Sequence, residues 1–215
     1  MASSISTKDD IGFSDRLRAD LMAGKYRPGE WLKQIDLENT YGANRFEVRI
    51  ALSELAARHL LEHLPNRGYR VANPTDRERE ELYEVRSILE MAAARKIVAR
   101  ATAEDVDAFA ALVQRFDDAV ENGGPVPLQE INFDLHDTFY RMCGNDMLAQ
   151  QIRELRERGV PGRGGSWRTV TAVRTSSLDH REMLEMLRRR DPEGLAHVIY
   201  RHLYRWREYS QPVVR

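Results

Sequence analysis

Apolar residues recur at helical spacing along most of the chain, and the breaks in that rhythm mark its joints. A first helix is expected from about Phe13 to Ala23, closed by Gly24 and the Pro28-Gly29 pair. A second runs from about Lys33 to Tyr41, with Ile35 and Leu37 as its apolar anchors, and Gly42-Ala43 interrupts it. A third starts at Asn44. Within it Val48, Ala51, Leu52 and Leu55 fall on one stripe that faces a core. Asn44 is placed to cap this helix, with Glu47 three residues on in capping-box register. Beyond it, Leu60 to Leu64 and Gly68 to Val71 flank Pro65-Asn66-Arg67, the pattern of a β-hairpin. Three helices with a tight turn between the second and third, then a hairpin, make the winged helix-turn-helix arrangement.

Asn73-Pro74-Thr75-Asp76 is the natural boundary, because proline stops the strand and Thr75 can cap the next helix. Helices are then expected near 76–100, 103–121, 126–143, 145–158, 168–190 and 192–209. Gly123-Gly124-Pro125, Gly144-Asn145 and Asp191-Pro192 separate them, and Gly159 to Gly165 reads as a flexible loop. The expected fold is mainly α: an N-terminal winged helix-turn-helix joined to an all-helical antiparallel bundle of about six helices. The corresponding domains are a flexible lead at 1–10, a DNA-binding domain at 11–75 and an effector-binding domain at 76–212.

Composition adjusts this picture in two ways. At 215 residues, 42% hydrophobic and 31% charged, the chain can bury a real core in either half. Its net charge is only −1, and residues 1–75 hold eleven Lys/Arg against ten Asp/Glu. A DNA-binding surface must therefore be a local patch, and dimerisation would double a modest set of phosphate contacts. Cys143 is the single cysteine, which excludes an internal disulfide and suits a reducing compartment. No apolar run approaches the roughly 18 residues of a membrane span, and Met1 to Asp10 lacks an apolar signal segment. A cytoplasmic protein with no membrane partner is expected.

Two constellations carry chemistry. Arg45 and Arg49 lie four residues apart at the start of the third helix, offset from its apolar stripe, so both point outward. A guanidinium there can grip guanine with two hydrogen bonds, and Arg67 at the hairpin tip, Lys33 and Arg70 can add groove or phosphate contacts. Alone, two such arginines read as an ordinary solvated pair, and it is the helix-turn-helix and wing around them that favours DNA contact. His136, His180 and His202 fall on three different expected helices, with Asn132 one turn before His136. Neutral imidazoles converging inside a bundle suit zinc or nickel, and Asn132 can add a carbonyl oxygen. Sequence spacing leaves open whether these helices converge or the histidines are plain core and surface residues.

The run from Ile35-Asp36-Leu37 through Tyr41-Gly42-Ala43-Asn44-Arg45-Phe46-Glu47-Val48-Arg49-Ile50-Ala51-Leu52, with Leu60-Leu61 and Asn66-Arg67-Gly68-Tyr69-Arg70-Val71, resembles the GntR family of bacterial regulators. That family's usual recognition helix reads Ser-Arg-Thr-Pro-Val-Arg-Glu-Ala-Leu. Here Asn44 stands for its Ser, Phe46-Glu47 for Thr-Pro and Ile50 for Glu, while both arginines are kept. The resemblance carries the family's DNA-contact role onto Arg45 and Arg49, and the expected DNA-contacting set is Lys33, Asn44, Arg45, Arg49, Arg67 and Gly68. Residues from about Glu80 to Tyr209 resemble the FCD effector domain of the FadR-like subfamily, on Leu82-Tyr83-Glu84-Val85-Arg86, Asn132-Phe133-Asp134-Leu135-His136, Gly144-Asn145, His180-Arg181-Glu182 and His202-Leu203. Six helices resemble its vanillate-regulator branch. This implies a divalent metal, zinc or nickel, held by Asn132, His136, His180 and His202, with Arg86 pairing an effector carboxylate. The expected protein is a homodimeric repressor, not an enzyme, that binds a pseudo-palindromic operator and senses a small organic acid. A metal-dependent hydrolase using the three histidines, or a regulator with a metal-free pocket, are the alternatives.

Overall fold

The computed structural model describes residues 12–123, 125–159, 169–205 and 207, without the side chains of 125–127. The expected N-terminal lead, most of the Gly159 to Gly165 loop and the end of the last expected helix lie outside the described residues. The chain divides into two compact units, meeting in sequence at Asn73 and Pro74.

In the N-terminal unit, helices α1 (Phe13–Met22), α2 (Gln34–Tyr41) and α3 (Arg45–Ala57) precede a hairpin of β2 (Leu61–Leu64) and β3 (Gly68–Val71). The anticipated capping box forms at α3: Asn44 Oδ1 accepts from the Phe46 and Glu47 amides at 3.0 Å, and Glu47 accepts from the Asn44 amide at 2.8 Å. Val48, Ala51, Leu52 and Leu55 are all buried, and Leu17, Leu21, Leu37, Leu60 and Val71 close the core around them. Ile35 departs from expectation. It is 58% exposed, so Leu37 alone anchors the middle of α2. An eight-residue helix buries a narrow stripe, and a position two residues from Leu37 points about 200° away from it.

The sheet has a third strand that periodicity did not reveal. β1 (Trp31–Leu32) pairs antiparallel with β3, giving the order β1-β3-β2, with Trp31 opposite Arg70 and Leu61 opposite Val71. Two residues are too few to display a period of two. The hairpin turns through Asn66 and Gly68, at φ 61° and 95°, which suits the Asn and Gly found there.

The C-terminal unit contains α4 (Asp76–Arg100), α5 (Ala103–Asn122), α6 (Pro125–Arg141), α7 (Asp146–Arg158), α8 (Val170–Arg188) and α9 (Pro192–Tyr204), six helices among the described residues. Capping boxes open α4 (Thr75 with Glu78) and α5 (Thr102 with Asp105), and Asp191 caps α9 ahead of Pro192. Helix α4 packs along α9, α5 along α6 and α8, and α8 along α9. Phe109, Phe116, Leu135, Phe139, Ile152 and Met183 are fully buried between them. Helices α6, α8 and α9 thereby each turn one face to a common interior, which is what a shared site requires. No described helix is long and apolar enough to cross a membrane.

Candidate metal centre and DNA-reading surface

The interior of the C-terminal unit brings together His136 from α6, His180 from α8 and His202 from α9. One ring nitrogen from each lies within 4.8 Å of the others. The Nε2 atoms of His136 and His180 are 3.2 Å apart. Two nitrogens on one tetrahedral zinc, at bonds of about 2.0–2.1 Å, lie about 3.3–3.4 Å apart, so this spacing suits a shared ion. Asn132 Oδ1 is buried and has no hydrogen-bond partner among the described residues. An orphaned carbonyl oxygen one turn from His136 is costly unless something accepts its lone pairs, and a cation does. The donor set therefore fits a divalent metal.

Electrostatics favour ligation. Burial, then Arg156 and the neighbouring imidazoles, hold His136 well below the usual histidine range; burial and His202 do the same for His180. Both rings stay neutral near pH 7, the form that binds metal. His202 Nδ1 lies 3.2 Å from Asp179 Oδ2, so a proton held there leaves Nε2 free to accept. Burial opposes ionisation of Asp179, but hydrogen bonds from His202, Arg205 and Arg201 outweigh it and hold the carboxyl below its ordinary range. Arg205 and Arg201 each approach Asp179 Oδ1 at 2.9 Å. Asp179 thus orients one candidate ligand without joining the set.

Beside the cluster, a cleft between α6 and α7 is lined by residues that include His136, Tyr140, Phe133, Arg153 and Arg156. Arg153 is paired with Asp137 at 3.1 Å. Arg156 is buried, yet its guanidinium makes no hydrogen bond or ion pair among the described residues. Burial and Arg86 depress its pKa, while Glu90 attracts it from beyond ion-pair distance. A buried cation in this state is costly unless an anion offsets it. Arg86, expected at the effector, does not line the cleft. It donates to Glu90 at 2.8 Å and lies over the Tyr83 ring, and Tyr140 donates to the other oxygen of Glu90. The i, i+4 partner on its own helix captures it, so Arg86 braces the wall while Arg156 faces the space. Sequence reading misses Arg156 because it sits in the charged run Arg153 to Arg158. Its signal is positional: Ala149, Ile152 and Arg156 share the buried stripe of α7.

On the N-terminal unit, Arg45 and Arg49 are exposed on α3, offset from its buried stripe, with Phe46 and Ile50 beside them. Lys33 is exposed at the N-cap of α2. Arg67 is exposed at the hairpin turn and stacks 4.9 Å over Trp31, next to Gly68. The Asn44 side-chain carbonyl is engaged in the cap, and Arg70 is held by Glu62 at 2.7 Å.

Comparisons with known proteins agree with both halves. The gntR family of bacterial regulatory proteins matches residues 13–71, and the FCD domain matches residues 81–205. The chain is 20% identical to the Bacillus subtilis HTH-type transcriptional regulator YdhC, itself uncharacterized, over 89% of this chain and 86% of that one. It is 24% identical to the transcriptional regulator McbR of Escherichia coli, over 85% and 84%. The solved structure of E. coli McbR superposes with a TM-score of 0.79 at 22% identity, covering 89% of this chain and 91% of that one. A Rhodococcus regulator superposes at 0.76 and 19%, covering 88% and 91%. These relatives are regulators rather than hydrolases, which removes the enzymatic alternative. The chain belongs to the GntR family of bacterial transcriptional regulators, with a winged helix-turn-helix for DNA and an FCD domain behind it.

Proposed function

We propose that this regulator is a ligand-responsive repressor that senses a small carboxylic acid beside a bound divalent metal. The observation that carries this is the adjacency of the three-histidine cluster, with the orphaned Asn132 oxygen, to a cleft lined by the buried cation of Arg156. His136, His180, His202 and Asn132 hold the ion, zinc or nickel by their chemistry. When bound, such an ion would offer a carboxylate a positive centre, with the acid adding to or displacing the weak Asn132 oxygen among its donors. Arg156 takes the far side of the acid, and Tyr140 and Arg86 brace the wall through Glu90. Acid binding then favours one arrangement of the chain over another, and DNA affinity changes with it.

Self-association completes the proposal. Val85, Ile88, Ala92 and Ala99 form an exposed apolar stripe along α4, a face suited to a second copy of the chain. Two copies would present two α3 helices to a pseudo-palindromic operator, with Lys33, Asn44, Arg45, Arg49, Arg67 and Gly68 at each half-site.

Selection of duplexes from a random pool by the full-length chain tests the DNA half directly. With the enriched operator, Arg49→Ala is expected to weaken binding about 5- to 150-fold, the 1–3 kcal/mol of a lost guanine contact. Unchanged affinity sinks the base-reading role, and a complex mass of one chain per operator sinks the dimer. For the metal half, Asp179→Asn is expected to lower zinc affinity about 10- to 100-fold in chelator competition, as loss of an orienting partner does. Equal affinity would show that Asp179 serves only Arg201 and Arg205.

A further inference from the structure

Helix α3 exposes large apolar side chains where its neighbours are cations. Phe46 is 72% exposed and Ile50 is 41% exposed, one turn apart. At 100° per residue, Arg45, Phe46, Arg49 and Ile50 occupy one continuous arc of about 140°, facing away from Val48, Ala51, Leu52 and Leu55. The capping box fixes this arc, since it sets Arg45 and Phe46 as the first two helical positions. Neither apolar side chain serves the core, which the buried stripe and the surrounding leucines already fill.

An apolar pair bordered on one side by two guanidiniums, all four side chains exposed on one arc, fits few surfaces. A purely apolar partner would leave Arg45 and Arg49 desolvated without compensation, and a purely anionic one would leave Phe46 without a contact. The major groove of DNA satisfies both demands. It is lined by phosphates and acceptor edges for arginine, and its one projecting apolar group is the C5-methyl of thymine. We propose that Phe46 and Ile50 read thymine methyls, so that each half-site carries thymine within a step or two of the guanines gripped by Arg45 and Arg49. This rests on the operator binding proposed above and adds what the operator must contain.

Deoxyuridine provides a clean test, because it removes the methyl and keeps every hydrogen-bonding edge. The operator enriched by the full-length chain is remade with deoxyuridine replacing each half-site thymine in turn. Affinities are then measured for the unaltered chain, Phe46→Ala and Ile50→Ala. The unaltered chain is expected to weaken about four-fold per contacted methyl, the worth of one buried methylene-sized group. Phe46→Ala or Ile50→Ala should abolish that sensitivity at one position each while still binding DNA. Indifference of the unaltered chain to every methyl overturns this proposal alone, as does equal sensitivity in both variants. Failure to enrich any duplex overturns operator binding, and this proposal with it.

Discussion

Chains carrying His136→Ala are expected to leave dialysis against zinc with no bound metal, while the unaltered chain keeps about one ion each. Loss of an orienting partner alone costs metal sites about 10- to 100-fold in affinity, so loss of a ligand should exceed that. Elemental analysis of protein purified without a nickel column reads the result. His197→Ala is the control, since His197 is exposed on α9 and outside the cluster. Substituting a fully buried ring also leaves a cavity against Tyr140 and His180, so His136→Gln, closer in volume, should accompany it. Zinc retained by both variants defeats the ligand set. Zinc absent from the unaltered chain defeats the metal altogether and leaves the metal-free pocket.

Arg156→Met should separate acid binding from stability. Truncating one side of a buried charge pair costs about 2–5 kcal/mol, so affinity for a responsive acid should fall about 30-fold to several thousand-fold. Calorimetry across small acids from acetate to citrate, with amide analogues beside them, supplies the probes. The empty protein should respond in the opposite sense. A guanidinium held in the interior without an ion-pair partner is a desolvation cost, and methionine of similar length removes it, so the melting temperature should hold or rise. A merely structural Arg156 would lower the melting temperature on substitution and leave acid affinity alone.

How much could be read from the sequence depended on how locally each feature is encoded. The α3 cap and its buried stripe depend on neighbours within a turn or two, and pattern reading finds them. Strand β1 depends on partners 37 and 39 residues away and carries only two residues, so it leaves no periodic trace. Convergence of His136, His180 and His202 is a tertiary fact. Spacing can nominate the three rings, but only the packing of α6, α8 and α9 brings them within reach. Arg86 illustrates a role that neighbours in sequence alone leave open. Its expected role rests on position in a resembling domain, whereas Glu90, visible at i+4, takes the guanidinium. Arg156 and Asp179 stay hidden because charged side chains are read as surface, and both are buried.

The capping box at Thr75 bears on how the junction between the two units is finished. Thr75 Oγ1 accepts from the Glu78 amide at 3.2 Å, and Glu78 accepts from the Thr75 amide at 2.7 Å. The first turn of α4 is therefore sealed by its own residues. On the other side of the joint, the Asn73 amide is tied to Glu62 of the wing at 3.0 Å. Each end of the junction is thus closed by hydrogen bonds made within its own unit, so neither the start of α4 nor the end of the wing has to borrow partners from the other half.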